Sequence, residues 1–170
     1  MHKVLTLLFS FALIGSLSAQ EKRASPLITV DENIDGLEVH IEYGQPSKKG
    51  RTVFGEDALV PFGKVWRTGA NEATVIQFSD DVMIDGNKVK AGKYALFTIP
   101  GEKEWTIILN SVWSQWGAYN YDSSKDVLSL KVKAEKEKEV QEKFTITVSE
   151  NGEVELSWDQ TEGGFDIEKA

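Results

Sequence analysis

Hydrophobic residues recur at every second position through most of this chain. Leu37, Val39, Ile41 and Tyr43 alternate with Glu38, His40 and Glu42, the pattern of a strand with one face buried and the other wet. Similar runs cover residues 74–78, 82–84, 93–99, 105–109, 127–132, 143–148 and 154–158. Turn residues separate them: Asp85-Gly86-Asn87, Pro100-Gly101 and Asn151-Gly152. An Asn-Gly pair between alternating runs is a strong hairpin signal. The expected hairpin pairs are Val82 with Val89, Phe97 with Ile107, and Ile146 with Leu156. No segment has a helical period. Residues 134–141 carry helix-forming Glu and Lys but only Val140 to bury, which predicts a solvated connection with at most a helical turn. Short strands joined by tight turns predict an all-β fold, a single antiparallel β-sandwich.

The ends of the sequence set its expected compartment. Met1-His2-Lys3 is followed by an apolar run over 4–14 and by small residues through Ala19, the plan of a secretory signal peptide. The expected layout is a cleaved leader over 1–19, a sandwich domain over 20–158 and a flexible tail over 159–170. Such a protein would be periplasmic or secreted, with no membrane insertion after cleavage. The chain contains no cysteine, so disulfides cannot stabilise it and its core must suffice. A net charge of −8 disfavours nucleic acid and anionic lipid as partners and favours solubility.

Two stretches interrupt the strand rhythm, residues 44–71 and 111–125. Loops this long in a compact domain are usually functional or disordered, and the aromatic and glycine content of both argues for order. The first carries Arg51, Trp66, Arg67 and Asn71, with Glu72 directly after it at the entry to a strand, and the second carries Trp113, Trp116, Tyr119 and Tyr121. Arginine is scarce, three against sixteen lysines. Where lysine is the default cation, Arg51 and Arg67 point to a use for the planar fork, on a ligand or on the protein's own carboxylates. Glu72 would serve as a general acid or base if burial beside Trp66 raised its pKa, or it would neutralise Arg67. Glycosidase-like chemistry needs a second facing carboxyl; Glu56, Asp57 and Asp122 are candidates. Trp116 and Tyr119 would form an apolar wall, whereas Trp105, inside a strand pattern, is expected to cap the core.

Several chemistries lack their residues. His40 is the only histidine beyond the leader, and its place in the alternation puts it on the wet face. One histidine and no cysteine rule out the common zinc sites. The Asp80-Asp81 to Asn87 region lacks calcium-loop spacing. No nucleophile elbow and no phosphate-binding glycine loop is present. No catalytic residue, metal or cofactor is therefore assigned.

Tyr43-Gly44, Pro46, Gly50-Arg51, Phe54-Gly55, the run from Pro61 to Thr74, the run from Ala91 to Pro100, and Gln115-Trp116-Gly117-Ala118-Tyr119 resemble the exported bacterial domain-of-unknown-function family 2911. The resemblance spans about 26–158. It implies export from Gram-negative cells and one mostly-β domain, and it brings no established activity. Some members are labelled amidotransferase-like, but a glutaminase cysteine is missing here.

These readings converge on a binding module. Residues 51–72 and 111–125 would share one pocket for a small polar or carbohydrate-like ligand. Arg67 and Arg51 would supply forks, Asn71 and Glu72 orienting hydrogen bonds, and Trp66, Trp116 or Tyr119 the apolar wall. The alternatives are a structural envelope protein without a ligand and a hydrolase using Glu72. Oligomeric state is left open.

Overall fold

The computed structural model describes residues 23–170; the expected leader lies outside the described residues. Twelve strands follow one another: β1 (Leu27–Ile34), β2 (Leu37–Gly44), β3 (Phe54–Gly55), β4 (Val60–Pro61), β5 (Ala70–Phe78), β6 (Val82–Ile84), β7 (Asn87–Val89), β8 (Gly92–Ile99), β9 (Glu104–Asn110), β10 (Asp126–Lys133), β11 (Glu135–Val148) and β12 (Glu153–Lys169). Among the described residues a single 3-10 turn, Ser123–Lys125, precedes β10. Six strands form one antiparallel sheet in the order β1-β2-β5-β8-β9-β10, and four form the other in the order β11-β12-β6-β7. A short parallel pair, β3 and β4, lies in the first loop. This is an antiparallel β-sandwich.

The alternating residues do what their period requires. Leu37, Ile41, Ile76, Leu96 and Ile107 of the large sheet join Phe144, Ile146, Leu156, Phe165 and Ile167 of the small one in a single core. In the absence of disulfides its centre is aromatic. Trp66 stacks on Trp158 with centroids 5.9 Å apart and meets Phe144 edge-on at 4.9 Å. Phe54 packs against Trp66 and Trp105. Large rings bury the most area per residue ordered, with pair geometry adding to it.

Several expectations need correction. β1 has no counterpart among the sequence-derived strands. Its inward residues Ile28, Val30 and Ile34 pair with β2 through a two-residue turn in which Asp35 (φ 49°) and Gly36 (φ 85°) are both left-handed, as a type I′ hairpin demands. Val82 pairs with Val89 and Ile146 with Leu156, as expected. Phe97, however, faces Ile108 and not Ile107. Ala95, Leu96 and Phe97 are all fully buried, so this segment lies between two cores and alternation carries no register information there. Residues 135–141 are strand, pairing with the far part of β12 through two irregular shifts. Available main-chain partners outweigh their helix propensity.

The expected flexible tail is the clearest departure. β12 continues through Asp159 (φ 58°) to Lys169, burying Phe165 and Ile167 and pairing Ile167 with Ile84 of β6. Ile167→Ala should therefore cost about 2–5 kcal/mol, the usual penalty for such a cavity, read as a lower urea midpoint at unchanged slope. A loosely attached tail would leave the midpoint where it was.

Candidate functional site

The first loop is drawn into the sandwich at Trp66. Its main-chain N–H donates to the Thr98 carbonyl at 2.8 Å and its carbonyl accepts from the Thr98 N–H at 3.0 Å. The Trp66 segment thus takes a rung of β8 beyond the last β5 pair, Thr74 with Leu96. A tight knot follows. The Trp66 indole N–H donates to the Gly69 carbonyl, the Thr74 hydroxyl donates to the Thr68 carbonyl at 2.7 Å, and the Thr74 N–H donates to the Arg67 carbonyl. Thr68 is left-handed at φ 53° and wholly buried. Backbones cross closely here, and only glycine leaves room: a Cβ on Gly44 would lie 2.1 Å from the Ala70 carbonyl oxygen.

Because the Trp66 segment holds β8, the start of β5 is free to pair elsewhere. Ala73 N–H donates to the Gln115 carbonyl and Gly117 N–H to the Asn71 carbonyl, both at 3.0 Å. Glu72 and Trp116 become cross-strand neighbours. The two loops therefore meet, on the outer face of the large sheet. The second loop is fixed from beneath. Tyr121 packs on Phe97 at 5.2 Å and donates its hydroxyl to Asp126 at 2.6 Å. Burial and that acceptor push the Tyr121 phenol pKa well up. Buried Asn110 donates to the Asp122 carbonyl and the Asp126 carboxylate. Ala73, Ala95, Phe97 and Ile108 form a second small core under this loop.

Where the covering ends, the outer face opens into a groove of about 440 Å³. Glu42 and Val75, opposed across β2 and β5, lie among its lining residues with Leu27. Trp113 and Trp116 line it from the loop, 42% and 57% exposed. Glu72 accepts from the Arg23 guanidinium at 2.9 Å, and the Asn71 side-chain amide donates to the Ser25 carbonyl. The Lys93 ammonium sits 5.1 Å from the Trp113 ring centre, a cation–π distance. Burial alone would push the Glu72 carboxyl up, but a hydrogen bond from its own main chain and the hydrogen bond and charge of Arg23 outweigh it, and the pKa falls below the ordinary value. Glu72 is thus an anion near neutrality, whereas an acid catalyst needs the opposite shift.

Of the residues expected at the site, Glu72 and Trp116 line the groove, and Asn71, left-handed at φ 66°, shapes it through its main chain. Trp66 does not reach it; only 8% exposed, the indole is core. Arg51 is spent on its own loop, donating to the Ser47 and Lys48 carbonyls. Arg67 is half-buried, its Nε finds no hydrogen-bond partner, and it is not a lining residue. Tyr119 is 83% exposed and lies off the groove. Sequence reasoning missed Arg23, Leu27 and Glu42 and left Trp113 unassigned. Scarcity of arginine was the one available signal for Arg23. His40 bonds to Asp31 at 2.6 Å on the open part of the same face. Among the described residues, no three His, Asp or Glu side chains are placed to hold a metal.

Two outcomes follow from this geometry. Gly44→Ala should destabilise the fold by about 1–3 kcal/mol or more, the range for forced overpacking, seen as a lower melting temperature. The second concerns pH. Since the Glu72 pKa is lowered on folding, its stabilisation is present above the ordinary value of 4.5 and drains as pH falls through the folded value. Glu72→Gln should flatten that acid limb by only a few tenths of a kcal/mol, because the pair is solvent-screened. Urea midpoints across the acid range measure it.

A family profile described as a protein of unknown function, DUF2911, matches residues 25–167. Searches of curated proteins and of solved structures returned no match. The family match runs past Trp158, the limit the sequence resemblance suggested, to the buried Ile167 that closes the small sheet. The chain belongs to the DUF2911 family, whose function is unknown.

Proposed function

We propose that this protein is an exported binding module for a small, polar, carbohydrate-like ligand, working in the periplasm or outside the cell. The observation that carries the reading is Trp116. It stands 57% exposed beside the Arg23–Glu72 pair, although its neighbours Gln115 and Gly117 are tied by main-chain hydrogen bonds to β5. An indole presented on a rigid support offers a flat apolar platform at little entropic cost. Charged and amide groups beside it supply donors and acceptors for hydroxyls, with Glu72, Glu42, Ser114 and Gln115 all at the groove. The groove volume is that of a small-molecule site. The leader-like first residues support export.

A purely structural role is the second reading, favoured by the closed knot from Trp66 to Thr74, which needs no ligand to be satisfied. A hydrolase using Glu72 as general acid is not favoured, because its carboxyl is held ionised, and the groove's other carboxylate, Glu42, would have to supply that proton. A thermal-shift screen of neutral sugars, cell-wall glycans and organic acids separates the first two. Binding predicts a concentration-dependent rise in melting temperature, abolished by Trp116→Ala. That substitution should change the ligand-free protein by only about 0.5 kcal/mol, as exposed positions do. No shift with any sugar or acid would leave the structural role.

A further inference from the structure

Resting on the binding reading above, we infer that the groove recognises a ligand bearing a positively charged amine on a ring, an amino-sugar type of molecule, and that Arg23 is an internal occupant which the ligand's ammonium displaces from Glu72. Charge is the first support. Among the described residues lining the groove, Arg23 is the single base, against the carboxylates of Glu42 and Glu72. With the guanidinium swung away, two carboxylates and the exposed Trp116 indole are left at one opening, beside a Trp113 that Lys93 already covers on one face, a setting that attracts cations electrostatically and through aromatic faces. That aromatic faces here accept ammonium groups is visible at Trp113, where Lys93 already occupies one. The net charge of −8 favours approach of cations over anions.

The second support is how lightly Arg23 is held. Its pair with Glu72 is half-exposed on both sides, a kind of contact worth at most about a fivefold change in an equilibrium. The segment that carries it is anchored independently of the guanidinium. Ser25 accepts from the Asn71 amide and Pro26 accepts from the Gln45 N–H at 2.8 Å. The side chain can therefore leave Glu72 by rotating about its own bonds while β1 stays in the sheet. An internal competitor of this kind lowers apparent affinity by the fraction of time it is in place. It also keeps Glu72 paired when no ligand is present.

The test compares glucosamine, with its amine protonated at mildly acidic pH, and N-acetylglucosamine, the same ring without the charge. Titrations followed by tryptophan fluorescence would use the wild-type protein, Arg23→Ala and Glu72→Gln. Glucosamine should bind the wild type more tightly than its acetylated form. Arg23→Ala should tighten glucosamine roughly three- to fivefold, the weight of an exposed ion pair, and leave the neutral sugar unchanged. Glu72→Gln should erase the preference. Equal binding of the two sugars, or glucosamine binding that Arg23→Ala leaves unchanged or weakens, overturns the cation assignment. In that case N-acetylglucosamine binding that Trp116→Ala removes would still uphold a sugar site. Failure of both sugars to bind any variant overturns the amino-sugar assignment, and the binding reading falls with it only if the wider screen of sugars, glycans and acids is also silent.

Discussion

Trp66 is the residue on which the rest of the arrangement turns. Its indole fills the middle of the core between Trp158, Phe144 and Phe54, while its main chain completes a rung of β8. A side chain that large, placed in a loop, converts the loop into part of the sandwich, since leaving it out would forfeit several kcal/mol of burial. The backbone must then make an abrupt return to β5. Left-handed Thr68 and Asn71, and glycines at 44 and 69 where chains nearly touch, are what that return requires. The start of β5 is consequently offset from β8, and its free main-chain groups are taken by the second loop. The groove is thus a consequence of a packing decision made on the opposite face of the sheet.

The outer face of the large sheet is divided by the same logic. Over β8 and β9 it is apolar and roofed by Tyr121, Ala118 and Val65. Over β1 and β2 it presents Asp31, His40 and Glu42, which need no roof. The boundary between the covered and wet halves is where apolar walls and charged groups can share a cavity without burying an unpaired charge. Glu72 and Arg23 stand on that boundary, solvated enough to stay ionised.

Legibility in the sequence follows how much each segment depends on distant partners. β2 and residues 74–78 of β5 were readable because their two faces differ in burial, so two-residue periodicity reports the face directly. The start of β5, buried at both Ala73 and Thr74, was read as loop. β8 was recognisable as a strand but not in register, since both its faces are buried at Phe97. The first half of β11 was misread because it is not amphipathic alone, and the far half of β12 because its short alternation, Phe165-Asp166-Ile167-Glu168, follows the Gly163-Gly164 pair that reads as a break. Glu135 to Gln141 becomes strand through pairing across to residues 159–162, and Ile167 is anchored by β6, more than eighty residues earlier. At the site, Glu72 and Trp116 emerged together because glycine-rich, aromatic loops flagged both. Arg23 did not, as its partner lies forty-nine residues away. Arg67 misled for a physical reason: scarcity of arginine marks a need for the fork without saying whether its surroundings are ligand or protein.

Aromatic residues in this chain sort into two populations. Trp66, Trp105 and Trp158 are buried, with Phe78, Phe97 and Phe144, as expected when rings are the main source of cohesion and no disulfide is available. Trp113, Trp116 and Tyr119 remain largely exposed, on a loop held rigid by Asn110, Tyr121 and Asp126. Ordering that loop costs conformational entropy, and Trp116, more than half in water, recovers little of it by burial. A segment serving only to cover Phe97 and Ile108 would need Tyr121 and Ala118, with polar residues at 113 and 116. The rings that face solvent therefore contribute little to the fold that holds them. Trp113 meets the Lys93 ammonium, Tyr119 lies off the groove, and Trp116 stands beside the ionised Glu72 with more than half its surface in water.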